Sequence, residues 1–165
     1  MSAIQDWKRQ VKAHHAQSIR AQAGHQSSTD FWQPFAPSFQ ADPRRTDDAV
    51  LNRLLQKVQP NATVLDVGGG GGRFALPLAL RCRHVTVVEP SPSMVDVLRQ
   101  GAQEAGIRNI TVVLNTWEEA DVRPAGLVLC AHVLYGVEDI EPFLRKLHSH
   151  ATDRVLILMY MDSPQ

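Results

Sequence analysis

From residue 62 onward, short β-branched apolar runs alternate with amphipathic segments. The runs predict five strands, at Thr63–Val67, His84–Val88, Ile110–Leu114, Leu127–Ala131 and Val155–Met159. Apolar residues at helical spacing predict helices over 72–80, 91–106 and 139–150. Continuous apolar strands separated by helices are typical of a parallel sheet that is covered on both faces. We therefore predict an α/β fold, a three-layer sandwich around a mostly parallel sheet of five strands.

The first 60 residues follow a different pattern. Residues 4–23 are polar with apolar positions one or two turns apart, which predicts one or two exposed helices. Residues 31–39 (FWQPFAPSF) are aromatic and interrupted by proline, which predicts an ordered loop. Thr46 is a candidate N-cap for a helix that runs to Val58. We expect residues 1–60 to form a helical and aromatic lid on a core of residues 61–165.

Composition narrows the classes of protein that this pattern allows. The chain has 165 residues, the length of one domain, and 17 basic residues balance 17 acidic ones. Such a balance produces no long-range field that would attract nucleic acid or an anionic membrane. No stretch resembles a signal peptide or a membrane span, and two cysteines without CxxC spacing are typical of reduced, buried thiols. We expect a cytoplasmic protein with no nucleic-acid or membrane partner.

Five consecutive glycines, at positions 68–72, follow the first predicted strand. Without a Cβ, a glycine can take a positive φ and let the backbone approach a ligand closely. Ligands of parallel sheets bind at the carboxyl ends of the strands, so the segments after strands one to four are candidate site residues. Glu89 lies 17 residues beyond Gly72, where a carboxylate can accept both hydroxyl protons of a ribose. Asp66 is expected to accept hydrogen bonds from the loop amides and hold the loop in shape.

Several nucleotide-binding classes share this layout. A phosphate-binding P-loop requires Gly-Lys-Ser/Thr, whereas Gly72 is followed by Arg-Phe. The dinucleotide pattern G-x-G-x-x-G/A fits Gly70, Gly72 and Ala75, so the glycine spacing alone leaves NAD or FAD open. The spacing D-x-G-x-G-x-G that begins at Asp66 fits better, because it starts directly at the end of the strand.

Three segments resemble the class I S-adenosylmethionine-dependent methyltransferases, and the resemblance extends over residues 61–161. VLDVGGGGGR at 64–73 looks like the first motif of this family, and VVEPSPSM at 87–94 looks like its acidic ribose-binding turn. CAHVLYGV at 130–137 is similar to the segment after its fourth strand. The resemblance implies a Rossmann-like core, S-adenosylmethionine as the cofactor and S-adenosylhomocysteine as the product. The sheet of the family has seven strands, so we expect its C-terminal strands to be missing from this chain.

The resemblance also implies roles for individual residues. Alternate glycines, at 68, 70 and 72, would pass under the ribose and methionine portions, which leaves Gly69 and Gly71 able to accept a small side chain. Met94 would line the adenine slot, with Thr116 and Trp117 beside it, although the family often has an Asp where Thr116 stands. The expected cofactor-binding residues are Asp66, Gly68, Gly69, Gly70, Gly72, Glu89, Pro90, Met94, Asn115, Thr116, Trp117, Cys130 and Ala131.

The implied reaction is methyl transfer from a sulfonium to a nucleophile, which needs mainly orientation and the exclusion of water. A nucleophile that starts protonated also needs a general base, for which His132 and Tyr135 are candidates. The alternative for His132 is that it only hydrogen-bonds loop carbonyls. Cys130 lies on an apolar strand, which favours a packed thiol over a nucleophile. Adjacent His14 and His15 diverge by about 100° on a helix, so we expect no metal site.

The sequence thus predicts a methyltransferase that acts on a small-molecule acceptor. Two alternatives stay open. One is a non-catalytic module that binds S-adenosylmethionine or S-adenosylhomocysteine, and the other is an NAD-linked oxidoreductase, for which no hydride-transfer constellation is recognisable. The open edge of the sheet and the N-terminal segment are the surfaces at which we would expect a dimer contact.

Overall fold

The computed structural model describes residues 2–21 and 30–160, without the side chains of residues 17–21. Its strands are β1 (Thr63–Val67), β2 (His84–Glu89), β3 (Ile110–Leu114), β4 (Ala125–Ala131) and β5 (Ala151–Leu158). Its helices are α1 (Ala3–Ala21), α2 (Ala49–Leu55), α3 (Ala75–Ala79), α4 (Pro92–Glu104) and α5 (Ile140–Ser149). The strands form one sheet in the order β3-β2-β1-β4-β5. Every pairing is parallel, so the predicted α/β architecture is confirmed.

Side chains of the central strands alternate between two hydrophobic cores, one on each face of the sheet. Val64 of β1 packs in the core shared with α2, α3 and α4, whereas its neighbour Leu65 packs in the core shared with α5. Leu129 and Val128 of β4 divide in the same way, and both are fully buried. Burial of each such side chain stabilises the fold by about 1.5–3 kcal/mol. The sheet is therefore the middle layer of a three-layer sandwich.

The helix caps agree with the sequence prediction in one case and differ in another. Ser91 caps α4 as predicted, because its hydroxyl accepts a hydrogen bond from the amide of Met94 at 3.2 Å. The cap of α2 is Asp48 and not Thr46, since the Asp48 carboxylate accepts the amide of Leu51 at 3.0 Å. Each cap satisfies an amide that the first turn of a helix leaves without a partner.

Several element boundaries also differ from the prediction: α2 ends at Leu55, β2 ends at Glu89 and β4 begins at Ala125. α3 begins at Ala75 and not at residue 72, because glycines with positive φ form turns before it. β5 begins at Ala151, four residues before the predicted start. Its first residues are largely exposed, so the hydrophobic pattern contains no sign of them. Their pairing with Ala125 of β4 is what makes them part of the strand.

The N-terminal helix is exposed over most of its described residues and packs on the protein through one face. α1 lies against α5, where Val11 is buried with 4% of its surface exposed. The indole Nε1 of Trp7 donates a hydrogen bond to the carbonyl of Val137 at 2.7 Å, and Lys8 forms an exposed ion pair with Asp139 at 2.9 Å. The predicted exposed helix is therefore present, and its apolar positions Trp7 and Val11 lie on the face that packs against the protein. The predicted helix end, at residue 23, lies outside the described residues.

The two edges of the sheet are formed by β3 and β5. Leu114 of β3 and Ile157 of β5 are 50% and 42% exposed. A dimer contact at such an edge stays a prediction. Among residues 2–21 and 30–160, no helix has the length and apolarity that crossing a bilayer requires.

We expect the substitution Leu129→Ala to lower the free energy of unfolding by about 2–5 kcal/mol, because it opens a cavity in a core that is fully closed. The matched control is Leu114→Ala on the half-exposed edge strand, which should cost less than about 1 kcal/mol. Urea denaturation followed by circular dichroism measures both. Equal losses would contradict the assignment of Leu129 to the core.

Candidate functional site

The glycine run after β1 forms a turn whose shape depends on three positive φ angles. The angles are 71° at Gly68, 55° at Gly70 and 89° at Gly72. The Gly68 amide donates to the carbonyl of Val88 at 2.7 Å, which ties the start of the loop to the end of β2. Side chains other than glycine rarely adopt this conformation, so the loop requires glycine at these three positions.

Neighbouring side chains occupy most of the space that the missing Cβ atoms would fill. A Cβ at Gly68 would lie 2.3 Å from Cγ2 of Val133, and one at Gly72 would lie 2.8 Å from Cγ of Leu76. Gly70 is different. Within 4 Å of its ideal Cβ position the nearest atom is Cε of Met94, at 3.6 Å. The middle of the loop is thus the place where a ligand can approach the backbone.

The sequence analysis expected Gly69 and Gly71 to accept a small side chain, and the structure contradicts this. A Cβ at Gly69 would lie 2.6 Å from Cγ1 of Val87 and 2.9 Å from Oδ2 of Asp66. At Gly71 it would lie 3.0 Å from Cγ1 of Val97. Both glycines face the protein: an added Cβ would overlap its neighbours at Gly69, whereas at Gly71 it would be in tight contact.

Glu89, at the end of β2, connects the loop to α4. Its Oε2 accepts the amide of Gly70 at 2.9 Å, and its Oε1 accepts the amide of Ser91 at 3.0 Å. The residue is 5% exposed. Burial raises the pKa of the Glu89 carboxyl, the two amides act in the opposite direction, and the Asp30 carboxylate raises it further. The result is a buried carboxylate in a fixed orientation beside Gly70.

Asp66 is buried at the end of β1, with 1% of its surface exposed. Burial, and secondarily the charge of Glu89, raises the pKa of the Asp66 carboxyl to about 7. The sequence analysis expected Asp66 to hold the loop amides, yet the amide of Gly70 is held by Glu89. Asp66 instead lies under Gly69, where it fills the space that a side chain would need.

The segment after β3 divides between surface and core. Asn115 and Thr116 are exposed, and the Asn115 amide donates to the backbone carbonyl of Glu89 at 3.2 Å. Trp117 is only 4% exposed, and the Nζ of Lys146 on α5 lies 4.6 Å from the centre of its ring. The indole therefore belongs to the α5 core. Its expected position beside adenine is not supported, because helix packing already covers the ring.

The residues at the end of β4 and after it differ in burial. Cys130 is fully buried, and burial raises the pKa of its thiol to about 12, as expected for a packed, inert cysteine. Ala131 is half-buried beside it, and His132 is the first residue to leave the strand. Nδ1 of His132 lies 3.3 Å from the hydroxyl of Tyr135. The two candidate catalytic side chains are thus brought together at the loop edge of the sheet.

The remaining predicted residues lie at the start of α4. Met94 is buried with its Cε toward Gly70, whereas Pro90 is exposed. Together with Glu89 they border the same loop.

Sequence reasoning missed Asp30, which attaches the N-terminal segment to this edge. Its carboxylate accepts the hydroxyl of Ser91 at 2.8 Å and the amide of Ser93 at 2.9 Å. Phe39, at the other end of the segment, lies 3.3 Å from the ideal Cβ position of Gly71. The contact of Asp30 spans 61 residues, so no local pattern could have predicted it.

Two arginines and an aspartate form a cluster beside the glycine loop, where Arg73 directly follows Gly72. Asp48 accepts hydrogen bonds from the guanidinium groups of Arg45 at 2.9 Å and Arg73 at 3.2 Å. The amide of Leu51 and both guanidinium groups overcome the effect of burial and lower the pKa of Asp48 to about 2. Within the described ranges, no cluster of three or more potential metal ligands is present.

Comparisons with known proteins identify the family to which this chain belongs. A family model described as a methyltransferase domain matches residues 64–153. A ubiquinone biosynthesis O-methyltransferase of Rickettsia conorii is 34% identical over 114 residues, which cover 67% of this chain and 39% of that protein. A probable ribosomal RNA small subunit methyltransferase A of Methanosphaera stadtmanae is 35% identical over 69 residues, which cover 41% and 26%. The chain spans less than half the length of each relative.

Solved structures share the fold. A SAM-dependent methyltransferase from Aquifex aeolicus has a TM-score of 0.65 and 17% identity, over 80% of this chain and 77% of that one. Coclaurine N-methyltransferase bound to N-methylheliamine and SAH has a TM-score of 0.59 and 18% identity, over 93% and 56%. These likenesses confirm the Rossmann-like architecture that the three motifs predicted.

We expect the substitution Gly69→Ala to destabilise the protein by about 1–3 kcal/mol, since its Cβ would overlap Val87 and crowd Asp66. Gly126→Ala is the control, because the nearest atom to its Cβ is the carbonyl oxygen of Thr63 at 3.5 Å. Urea denaturation of the two variants tests the prediction. A Gly69→Ala protein as stable as the control would show that the loop can rearrange around a side chain.

Proposed function

This chain belongs to the methyltransferase domain family, of the class I S-adenosylmethionine-dependent type, and we propose that it transfers a methyl group from S-adenosylmethionine to a small-molecule acceptor. The observation that carries this proposal is the Glu89 carboxylate, held by two amides beside an open glycine turn. A buried carboxylate in a fixed orientation at this edge is suited to two neighbouring hydroxyl groups.

The residues around the turn fit an adenosyl cofactor. Each oxygen of Glu89 accepts one amide and keeps a further lone pair for a ribose hydroxyl. Gly70 has open space in front of its backbone, and Met94 borders that space. Asn115 and Thr116 are the exposed groups after β3 and offer polar atoms to the adenine edge. We assign no ligand contact to Trp117.

When bound, S-adenosylmethionine supplies a methyl group on a positively charged sulfur. The task of the chain is then to orient this group and keep water away, which contributes up to about 7–11 kcal/mol of the barrier reduction in well-aligned systems. The turn between Gly68 and Gly72 fixes the position of the backbone, because neighbouring side chains already enclose it. Glu89 fixes the same turn from the side of β2.

An apolar surface beside the turn supports a small-molecule acceptor. Four aromatic side chains in the segment from 31 to 39 are 39–52% exposed, and they contact one another edge-on or tilted: Phe31, Trp32, Phe35 and Phe39. The segment carries no charged residue, and Phe39 reaches the glycine turn. A small apolar molecule suits this surface better than a polyanion does. The ubiquinone O-methyltransferase relative is consistent with such an acceptor.

RNA is the second candidate acceptor, because one relative is a probable ribosomal RNA methyltransferase. The expectation of no nucleic-acid partner therefore stays a prediction. The family match favours methyl transfer over the NAD-linked alternative, and a non-catalytic binding module is an outcome that the experiments below distinguish.

We expect Glu89→Gln to weaken the binding of S-adenosylhomocysteine about 10- to 100-fold, since a hydrogen bond to a charged group contributes about 1.5–3 kcal/mol. Glu104→Gln is the matched control, because Glu104 is exposed and is the last residue of α4, at the opposite end of that helix from Ser91 and Met94. Isothermal titration calorimetry measures both affinities. Equal affinities would remove Glu89 from the cofactor site, and a preference of the unaltered protein for NAD would contradict the proposed function.

We expect labelled methyl groups from S-adenosylmethionine to enter the small-molecule fraction of a cell extract and not its RNA fraction. Gly70→Leu should abolish the transfer, because it fills the open space in the turn at a residue with positive φ. Label in the RNA fraction would favour the second candidate. Binding of S-adenosylhomocysteine without transfer to either fraction would favour a non-catalytic module.

A further inference from the structure

His132 has an unusual backbone conformation at the edge where the candidate site lies. Its φ is 58°, and among the described residues no other non-glycine residue has a positive φ. Its amide donates to the carbonyl of Leu158 at 2.9 Å, so β5 holds it in this conformation. Such strained residues are concentrated at active sites, where the surrounding structure stabilises them.

The imidazole of His132 is held on two sides by tyrosines. Its ring stacks on that of Tyr160, with the ring centres 4.4 Å apart and an angle of 23° between the planes. Nδ1 lies 3.3 Å from the hydroxyl of Tyr135, which also accepts the backbone amide of Tyr160. In the part of the chain that the structure describes, Nε2 has no hydrogen-bond partner. The ring is therefore fixed through Nδ1, while Nε2 is available.

The residue that follows His132 borders the glycine turn. Val133, the next residue, covers Gly68, with Cγ2 2.3 Å from the ideal Cβ position of that glycine. The ionisable groups that face His132 are Tyr135, Tyr160 and Arg73. Burial, and secondarily the positive charge of Arg73, lowers the pKa of His132. This shift favours the neutral imidazole, which is the state that a base requires.

We propose that His132 is the proton acceptor of the methyl transfer, that the acceptor molecule reacts through a hydroxyl group, and that Tyr135 positions the imidazole. This inference rests on the proposed methyltransferase function. Nε2 takes the hydroxyl proton while the oxygen forms its bond to the methyl carbon. The bond between that carbon and sulfur breaks, and its electron pair stays on sulfur.

The role of Tyr135 follows from the tautomer that this step requires. Nε2 can accept a proton only when the neutral ring carries its hydrogen on Nδ1, and Nδ1–H then donates to the oxygen of Tyr135. That oxygen has two lone pairs, so it can accept both Nδ1–H and the amide of Tyr160. When His132 becomes positively charged, the same hydrogen bond stabilises the charged ring.

The first test compares His132→Asn with His148→Asn, a control on the exposed face of α5. Asn tolerates the positive φ of residue 132. We expect His132→Asn to reduce methyl transfer into the small-molecule fraction about 10²- to 10⁴-fold and to leave the affinity for S-adenosylhomocysteine unchanged. In the unaltered protein, the transfer rate should rise with pH through a midpoint below about 6.5, and the variant should lack this rise. A variant that retains the rate of the control would overturn the inference.

The second test does not depend on turnover. Nitrogen-15 NMR of the protein with S-adenosylhomocysteine should show the hydrogen of neutral His132 on Nδ1. Tyr135→Phe should lower the pKa of His132, because the charged ring loses a hydrogen-bond acceptor. A hydrogen on Nε2, or a pKa that rises in Tyr135→Phe, would overturn the inference. If the unaltered protein bound no S-adenosylhomocysteine, the proposed function itself would fail. Intact binding together with a hydrogen on Nε2, or with a raised pKa in Tyr135→Phe, would refute only the role of His132.

Discussion

The carboxylate of Glu89 is the contact that the rest of the site depends on. With one oxygen on the amide of Gly70 and the other on the amide of Ser91, it joins the β1 turn to the start of α4. Hydrogen bonds of this kind contribute about 1.5–3 kcal/mol each, which offsets part of the cost of burying the charge. Because the carboxylate is held from both sides, its orientation is set before any ligand binds. Preorganisation of this kind is what a site for two hydroxyl groups needs.

The parallel sheet explains why these groups meet. β1 lies at the centre of the order: the chain runs outward from it through β2 to β3 and then crosses over to β4 on its other side, so the strand order reverses at β1. The segments after these strands therefore border one crevice, as in other open α/β sheets. Gly68 comes from β1, Glu89 from β2 and His132 from β4. Two cores, one on each face, pack against the three strands.

The segment of residues 30–39 is attached to the carboxyl edge of the sheet by two contacts, one at each of its ends. Asp30 accepts hydrogen bonds from Ser91 and Ser93 at the start of α4, and Phe39 lies against Gly71. The aromatic side chains between these contacts stay partly exposed. The same serine thus contacts both Asp30 and Glu89, which links the aromatic surface to the candidate cofactor site. The sequence assigns residues 1–60 to a lid; we propose that role for residues 30–39, which these contacts support, whereas α2 packs into the core with Leu51 fully buried.

Local patterns in the sequence determined the five strands, most of the helices and the family, because strand and helix periodicity and the glycine and acidic motifs are properties of neighbouring residues. They also identified Glu89 and His132 as the residues that end two strands. Only the tertiary structure decided what each group contacts. It turned the indole of Trp117 into the core, closed the space at Gly69 with Val87, and brought Asp30 to α4. Such contacts join residues that are far apart in the sequence, and the hydrophobic and motif patterns of neighbouring residues do not depend on them.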